Sequence, residues 1–346
     1  MKDCIKIVFA SAFVCAIMPG CQDFPDESKK DESSFVRLEE VAEILAMIPI
    51  DRNHMYEVHH AVSSSSGNGY DEEYTMRNLF ISPGSGVGDS PTRGQTDYPE
   101  PLRDLIEDYV YSTKSAAQMD PDEFISALAE SDIQIYWPFS ENWDGETMPV
   151  VTFDPEDGSD VNTGYRLKVD DDGFRHVEEV VVDEEMAAQV PVWVVNRNSD
   201  AGYATIEMLR REDPDWGTGG GNIIVRPREA VMTRSEGSCK TLVLRDFQMN
   251  RNFDTWFAGA SEFFVKIGYL EDFTAMTEAE MRLYDPMVTD FMIVVKRNQV
   301  GISQNLNAVL MTGWHEGEDK TENRCAFMIT EDDGGTRTEW STKAKV

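Results

Sequence analysis

A cluster of carboxylates between residues 154 and 160 is the sequence feature best suited to bind a metal ion. The four acidic side chains are Asp154, Glu156, Asp157 and Asp160, and Gly158 lies among them. Calcium takes about six to eight oxygen ligands, which flexible loops rich in carboxylates can supply. The segment lacks the bidentate Glu that closes an EF-hand loop, so it does not match that motif. We predict weak calcium binding here, with calcium as the candidate cofactor; a solvated acidic turn is the alternative.

Neither the histidines nor the glycine-rich segments supply a catalytic constellation. A zinc protease needs two histidines one helical turn apart, whereas His59 and His60 are adjacent and the segment at His315 has no second histidine. A hydrolase nucleophile lies between a strand and a helix in a Gly-x-Ser-x-Gly turn. The nearest segment, Gly84-Ser85-Gly86, lies in a loop rich in Gly and Pro with no strand predicted before it. We therefore assign no catalytic residue from the sequence.

The N-terminus has the parts of an export signal that ends at Cys21. Lys2 and Lys6 provide positive charge, and residues 7–18 form an apolar run too short to span a bilayer. The motif Met18-Pro19-Gly20-Cys21 resembles the lipobox of bacterial lipoproteins, with Met18 where Leu is usual. The resemblance implies that residues 1–20 are a lipoprotein signal peptide and that Cys21 is lipidated. The alternative is an ordinary signal peptide that ends near a cysteine.

Residues 21–35 have the composition of a flexible acidic tether. They combine charged residues, Ser and Pro with few large apolar side chains, so they cannot bury enough surface to order themselves. An acid-rich stretch just after a lipidated cysteine is similar to the surface-export signal of Bacteroidetes lipoproteins. The resemblance implies an outer-membrane lipoprotein of the cell envelope, exposed at the surface. A body that faces the periplasm is the alternative.

The chain of 346 residues is strongly acidic, with a formal net charge of −33 at pH 7. A surface of this charge repels nucleic acid and anionic lipid headgroups, so functions that depend on them are not expected. A hydrophobic content of 41% is enough for a sizeable core. The expected partners are the membrane, through lipidated Cys21, and an envelope or extracellular protein or glycan.

Two of the five cysteines lie beyond Cys21 in the sequence. They are Cys239 and Cys325, which we predict to form one disulfide in an oxidising compartment. Two reduced, buried thiols are the alternative. Neither cysteine belongs to a Cys-x-x-Cys pair with flanking histidines, so a zinc finger is not expected.

Residues 36–130 are predicted to be mostly helical. Apolar side chains recur at helical spacing in three segments, at residues 38–48, 55–62 and 102–110. Asp120 is placed to cap a fourth helix. A loop is expected at residues 63–69, where Ser and Gly predominate.

Residues 131–216 are predicted to be rich in β-structure. Apolar residues alternate from residue 133 to 137, and two alternating segments flank the acidic turn at residues 170–173, which predicts a hairpin. Asp183 is placed to cap a short helix before a strand at residues 191–196. A linker at residues 217–237, rich in Gly and then in Arg, marks a domain boundary.

Residues 238–346 are predicted to form a β-sandwich-like domain, because short apolar segments alternate with turn residues. The predicted strands include residues 242–244, 263–267, 291–295, 308–311 and 325–330, and a closing strand through Trp340 and Ala344. A capping box at residues 277–280 predicts one inserted helix. The predicted fold class is α+β, with a helical N-terminal region, a β-rich middle region and this C-terminal domain.

Two segments of the body resemble uncharacterised Bacteroidetes surface or periplasmic lipoproteins. They are Val182-Asp183-Glu184-Glu185, which leads to Pro191-Val192-Trp193, and Thr289-Asp290-Phe291-Met292-Ile293-Val294-Val295. The resemblance brings no assigned activity.

The sequence favours a binding or interaction module on the surface or periplasmic face over an enzyme. The alternative is an envelope hydrolase, directed at glycans or peptides, whose catalytic residues are dispersed along the chain. Tryptophans that belong either to a glycan or protein surface or to the core are Trp137, Trp143, Trp216, Trp256 and Trp314.

Overall fold

Helices from the first part of the chain cover one face of a six-stranded sheet, and two smaller sheets follow in the C-terminal part. The computed structural model describes residues 36–80, 98–114, 120–170, 172, 175–198, 204–214, 240–252, 254–273, 287–314 and 322–331. Its helices are α1 (Leu38–Met47), α2 (Arg52–Gly67), α3 (Met76–Phe80), α4 (Leu102–Lys114), α5 (Pro121–Glu130), α6 (Glu184–Ala187) and α7 (Ile206–Glu212).

The strands of the large sheet are β1 (Glu73–Thr75), β2 (Ile133–Tyr136), β3 (Val150–Phe153), β4 (Asn162–Val169), β5 (Arg175–Val182) and β6 (Val192–Arg197). Those of the smaller sheets are β7 (Lys240–Phe247), β8 (Ser261–Phe273), β9 (Met287–Val295), β10 (Gln304–Trp314) and β11 (Glu322–Glu331). The chain is therefore α+β, as its sequence predicts.

The large sheet has the strand order β1-β2-β6-β3-β4-β5, in which only β3 and β6 run parallel. Strand β6 lies inside the sheet, and its residues 192–196 are buried without interruption. A continuous buried run of this kind is typical of a strand that is covered on both faces. The predicted hairpin is confirmed, since β4 and β5 pair antiparallel along their whole length.

The helix-covered face of the sheet forms the first core. Leu45 of α1, Met55 of α2 and Phe124 of α5 are buried in one apolar cluster with Trp193 and Val195 of β6. Burial of each such side chain contributes about 1.5–3 kcal/mol to folding. The helices of residues 36–130 and the strands of residues 131–197 thus share a core.

The opposite face of the sheet is covered by a segment from the C-terminal part of the chain. The rings of Trp256 and Phe257, with centroids 4.0 Å apart, pack in one apolar cluster with Val150, Val182 and Val194. Asn196 holds this segment in place, because its amide donates to the main-chain oxygens of Phe257 at 2.9 Å and Ala258 at 3.1 Å.

The two smaller sheets consist of β11-β8-β9 and β10-β7, all antiparallel. Both contribute to one apolar cluster, with Val265 of β8 and Ile293 of β9 on one side and Leu306 and Leu310 of β10 on the other. Helix α7 adds Leu209 to the cluster. The five strands that the sequence predicts between residues 242 and 330 are confirmed as β7 to β11. The sandwich arrangement stays a prediction.

The loop predicted at residues 63–69 is wrong for its first five residues, because α2 continues to Gly67. Serine is only a moderate helix former, but here two serines have distant partners. The Ser65 hydroxyl donates to Glu73, and the Ser66 hydroxyl accepts from the Lys296 ammonium. Strand β1 and helix α3 follow at once and have no counterpart among the predicted elements.

Several predictions fall outside the described residues. They are the signal peptide and tether at residues 1–35, the linker at residues 217–237, the helix at residues 277–280 and the closing strand at Trp340 and Ala344. Among the described helices, none combines the length and the hydropathy that a bilayer span requires.

Candidate binding site

Three aromatic rings surround Trp143, which follows β2 in the chain. Its ring centroid lies 5.1 Å from that of Tyr56, 5.4 Å from that of His59 and 5.6 Å from that of Trp137. The contacts of Trp143 with Tyr56 and Trp137 are edge-to-face, a favoured geometry for aromatic pairs. Trp137 is fully buried, whereas Trp143 is half-buried and Tyr56 is 48% exposed.

Helix α2 positions two of these rings. Tyr56 and His59 are three residues apart, so they lie on the same face of the helix one turn apart. Asp51 caps the helix, since its Oδ1 accepts from the main-chain N–H groups of Asn53 at 2.8 Å and His54 at 3.2 Å. Burial lowers the pKa of His59, which keeps the ring neutral against its tryptophan neighbours at pH 7.

A tight turn after Trp143 fixes a carboxylate beside the rings. Asp144 Oδ1 accepts from the main-chain N–H groups of Glu146 and Thr147, both at 2.8 Å, and its Oδ2 accepts from the Thr147 hydroxyl at 2.7 Å. The bonds from Thr147 and Glu146 lower the pKa of Asp144 to about 2. The indole N–H of Trp143 donates to the Thr147 main-chain oxygen at 2.9 Å, and Arg52 of α2 pairs with Glu146 at 3.0 Å.

Of these groups, Trp137, Trp143, Asp144 and Thr147 border a cavity of about 80 Å³, which we call the aromatic pocket. Its lining residues are Trp137, Phe139, Asn142, Trp143, Asp144, Thr147, Ala187, Ala188, Gln189, Val190 and Pro191. Aromatic and apolar walls with a few fixed polar groups are typical of small-molecule sites. The pocket can therefore hold a small group by contact with the rings and by the charge of Asp144.

A second group of polar residues lies at the start of β1, where three consecutive acidic residues, Asp71, Glu72 and Glu73, are largely buried. Asp71 Oδ1 accepts from the Glu72 main-chain N–H at 2.8 Å, which brings the two carboxyl groups close together. Asp71 Oδ2 also accepts from the Ala260 main-chain N–H at 2.8 Å, and Glu72 Oε1 accepts from the Lys296 ammonium at 2.7 Å.

Glu72 keeps its proton at neutral pH. Burial, followed by the neighbouring Asp71 carboxylate, raises the pKa of Glu72 to about 8 despite the attraction of Lys296. Burial also raises the pKa of Asp71. The adjoining cavity, bordered by Glu72, Tyr136 and Lys296, measures about 20 Å³, which is room for about one water molecule.

Glu57 of α2 is a further buried acid, with a structural role. Its Oε2 accepts from the Leu102 main-chain N–H at 2.7 Å, at the first turn of α4, and its Oε1 accepts from the Tyr74 hydroxyl at 3.3 Å. An anion at a helix N-terminus satisfies an otherwise unpaired donor and the helix dipole. Burial raises the pKa of Glu57.

The candidate calcium ligands lie in the loop between β3 and β4, where two of them have partners within the loop and a third pairs with β6. Asp154 Oδ1 accepts from the Glu156 N–H and Asp157 Oδ1 from the Ser159 N–H, both at 2.9 Å. Glu156 pairs with Arg197 at 2.8 Å. Within the described ranges, no group of three or more His, Cys, Asp or Glu side chains is arranged to hold a metal ion. Calcium binding by Asp154, Glu156, Asp157 and Asp160 stays a prediction.

The cysteine predictions also stay untested. Cys21 and Cys239 lie outside the described residues, and Cys325 lies in β11, where its backbone is opposite Tyr269 of β8. Two of the tryptophans named as surface or core candidates, Trp137 and Trp256, are core residues, while Trp143 is half-buried at the aromatic pocket. Trp216 and the side chain of Trp314 fall outside what the structure describes.

Sequence reasoning did not single out the partners of Trp143. The spacing of Tyr56 and His59 on a predicted helix and the Asp144-Gly145 turn were the available signals. The Asp71–Glu72 pair was missed because a short acidic run in so acidic a chain resembles a solvated turn. Comparisons with protein families, with curated proteins and with solved structures find no match to this chain.

Proposed function

We propose that the protein is a binding module held at the cell envelope by lipidated Cys21, and that the aromatic pocket is its binding site. The observation that carries the proposal is the half-buried Trp143 ring, which borders a cavity together with an ionised carboxylate. Aromatic residues are strong anchors at binding sites, since they combine a large apolar face with little conformational entropy to lose. The ligand is a group on an envelope or extracellular glycan or protein, or a small molecule that carries the same group.

The alternative, an envelope hydrolase, has one observation in its favour. Burial raises the pKa values of the neighbouring Asp71 and Glu72, and paired carboxyl groups with raised pKa values serve as general acids and bases. The adjoining cavity measures only about 20 Å³, however, a quarter of the volume of the aromatic pocket. Binding at the aromatic pocket is therefore the better-supported function.

Binding of the purified protein to glycan and peptide arrays tests the proposal. Trp143→Leu should remove the signal, whereas Tyr111→Leu, which removes an exposed aromatic ring outside the pocket, should keep it. Equal binding by both variants would contradict the proposed site. If the unmodified protein cleaves an array ligand and Glu72→Gln does not, the result would favour the hydrolase.

Membrane fractionation of Cys21→Ser tests the attachment. Stable anchoring needs two or more acyl chains, and the proposed lipid on Cys21 supplies them. The variant should move to the soluble fraction while the unmodified sequence stays with the membranes. A variant that still fractionates with membranes would show that the anchor lies elsewhere.

A further inference from the structure

The aromatic pocket has a charge that its walls do not neutralise. Among the described residues that line it, none is Lys or Arg, and Asp144 is the one charged group. The hydrogen bonds to its side chain from Glu146 and Thr147 come from uncharged donors of its own turn. The nearby arginine, Arg52, is paired with Glu146. The pocket therefore presents a fixed negative charge beside aromatic faces.

This combination is complementary to an organic cation. The face of an aromatic ring carries negative charge density, which attracts ammonium groups, and tryptophan attracts them most strongly. The Trp143 ring is held by its indole hydrogen bond and by the Tyr56 and Trp137 rings, so little order is lost when a ligand binds. The formal net charge of −33 further favours a cation over an anion.

The size of the pocket suits a small cationic group. A volume of about 80 Å³ accommodates a trimethylammonium group or the end of a lysine side chain. Asn142 and Gln189 also line the pocket, but they offer no second charge. A neutral sugar would donate hydroxyl hydrogen bonds to Asp144, but it would carry no positive charge to pair with the carboxylate.

We propose that the aromatic pocket binds an alkylammonium group, held by cation–π contact with Trp143 and by the charge of Asp144. The inference rests on the proposed function and names the chemical class of its ligand. The ammonium group belongs either to a small free amine or to a lysine side chain of a peptide, and these two sources share the recognised chemistry.

The test is calorimetric titration of the purified protein with four probes. Choline and Nα-acetyl-lysine amide represent the two sources, 3,3-dimethylbutan-1-ol is the neutral isostere of choline, and methyl glucoside is a neutral sugar. We expect both ammonium probes to bind at least about fivefold more tightly than the neutral isostere. The tighter of the two ammonium probes identifies the source.

Variants distinguish the contributions of the two residues. Asp144→Asn retains an acceptor for the turn but removes the charge. It should weaken the binding of both ammonium probes at least about fivefold and leave the affinity for the neutral isostere unchanged. Glu179→Gln makes the same change of charge on the exposed surface of β5, outside the pocket, and should bind like the unmodified chain. Trp143→Leu, with folding verified by circular dichroism, should remove ammonium binding.

Two outcomes would overturn the inference in different ways. Equal binding of choline and its neutral isostere, or binding of methyl glucoside alone, would reject the ammonium ligand and leave the binding module standing. No binding of any probe, together with no array ligand that depends on Trp143, would reject both the inference and the proposed site.

Discussion

The Asp71 carboxylate accepts a hydrogen bond from the Ala260 main-chain N–H at 2.8 Å, although 189 positions of sequence separate the two residues. Asp71 precedes β1 at one edge of the large sheet, and Ala260 precedes β8 of a smaller sheet. Lys296 and Glu72 form a second bond across the same junction. The junction is therefore polar, and its stability depends on protonation.

Glu72 should make the protein less stable as pH rises from about 4.5 to about 8. Its pKa is about 8 in the folded chain against 4.5 for an unperturbed glutamate, so between these values the folded state keeps a proton that the unfolded state releases. The free energy of unfolding should fall by up to about 1.4 kcal/mol per pH unit in this window and level off above it. Urea unfolding at pH 5, 6.5 and 8.5 measures the slope.

Glu72→Gln should flatten that slope, because glutamine mimics the protonated acid and can still accept from Lys296. Some slope should remain from Asp71, whose pKa is also raised. Glu179→Gln, which replaces an exposed glutamate on β5, serves as the control for the change in net charge. An unchanged slope in Glu72→Gln would show that the proton is not held at this residue.

Gly259→Ala should destabilise the chain through Asp71. Gly259 has φ +108°, and a Cβ there would lie 2.7 Å from Asp71 Oδ2. Gly301 has φ +79°, and a Cβ there would meet no neighbour within 4 Å, so Gly301→Ala measures backbone strain alone. Gly259→Ala should lower the free energy of unfolding by about 1–3 kcal/mol more than Gly301→Ala, the cost typical of overpacking. Equal losses of unfolding free energy in the two variants would show that the contact with Asp71 rearranges without destabilising the chain.

Asp51→Ala should lower the free energy of unfolding by about 1 kcal/mol, since it removes the cap of α2. Burial raises the pKa of Asp51, but the hydrogen bonds from His54 and Asn53 outweigh it and lower the pKa overall. The contribution is therefore present above the unperturbed pKa of 3.8 and is lost as pH falls through the lower folded value. Asp51→Asn, which also caps helices, should retain most of the stability; a loss equal to that of alanine would contradict the capping role.

Phe257→Ala should cost about 3–5 kcal/mol, because it leaves a cavity on the second face of the large sheet. Phe257 is fully buried there, in one cluster with Trp256 and Val194. Unfolding should be followed by circular dichroism and by tryptophan fluorescence in parallel. A cost below that of replacing an exposed residue such as Val243, which is 39% exposed, would mean that the segment does not cover the sheet.

Local sequence patterns were sufficient to predict many helices and strands of the fold. The alternation on either side of the turn at residues 170–173 predicts the β4–β5 hairpin because both strands and their turn are contiguous. The helical spacing of Leu102 and Ile106 likewise predicts α4. In these elements, the side chains that decide the structure are neighbours in sequence.

The features that the sequence did not predict involve contacts between residues far apart in the chain. Ser65 and Ser66, in the extension of α2, form hydrogen bonds with Glu73 and Lys296, and no local sequence pattern predicts the second of these. The position of Trp143 depends on rings that come from α2 and from the end of β2. Its indole was recognisable as a candidate anchor from the sequence, but the neighbouring carboxylate became significant only once the turn geometry was known.

The cover of the second sheet face has a consequence for the order of events during synthesis. Val150, Val182 and Val194 are complete as a surface once residue 197 has been made, but Trp256 and Phe257 arrive about sixty residues later. A nascent chain must carry that apolar face uncovered over the interval, as a state prone to association or in need of a chaperone. The large sheet can reach its final packing only after Trp256 and Phe257 are available to cover this face.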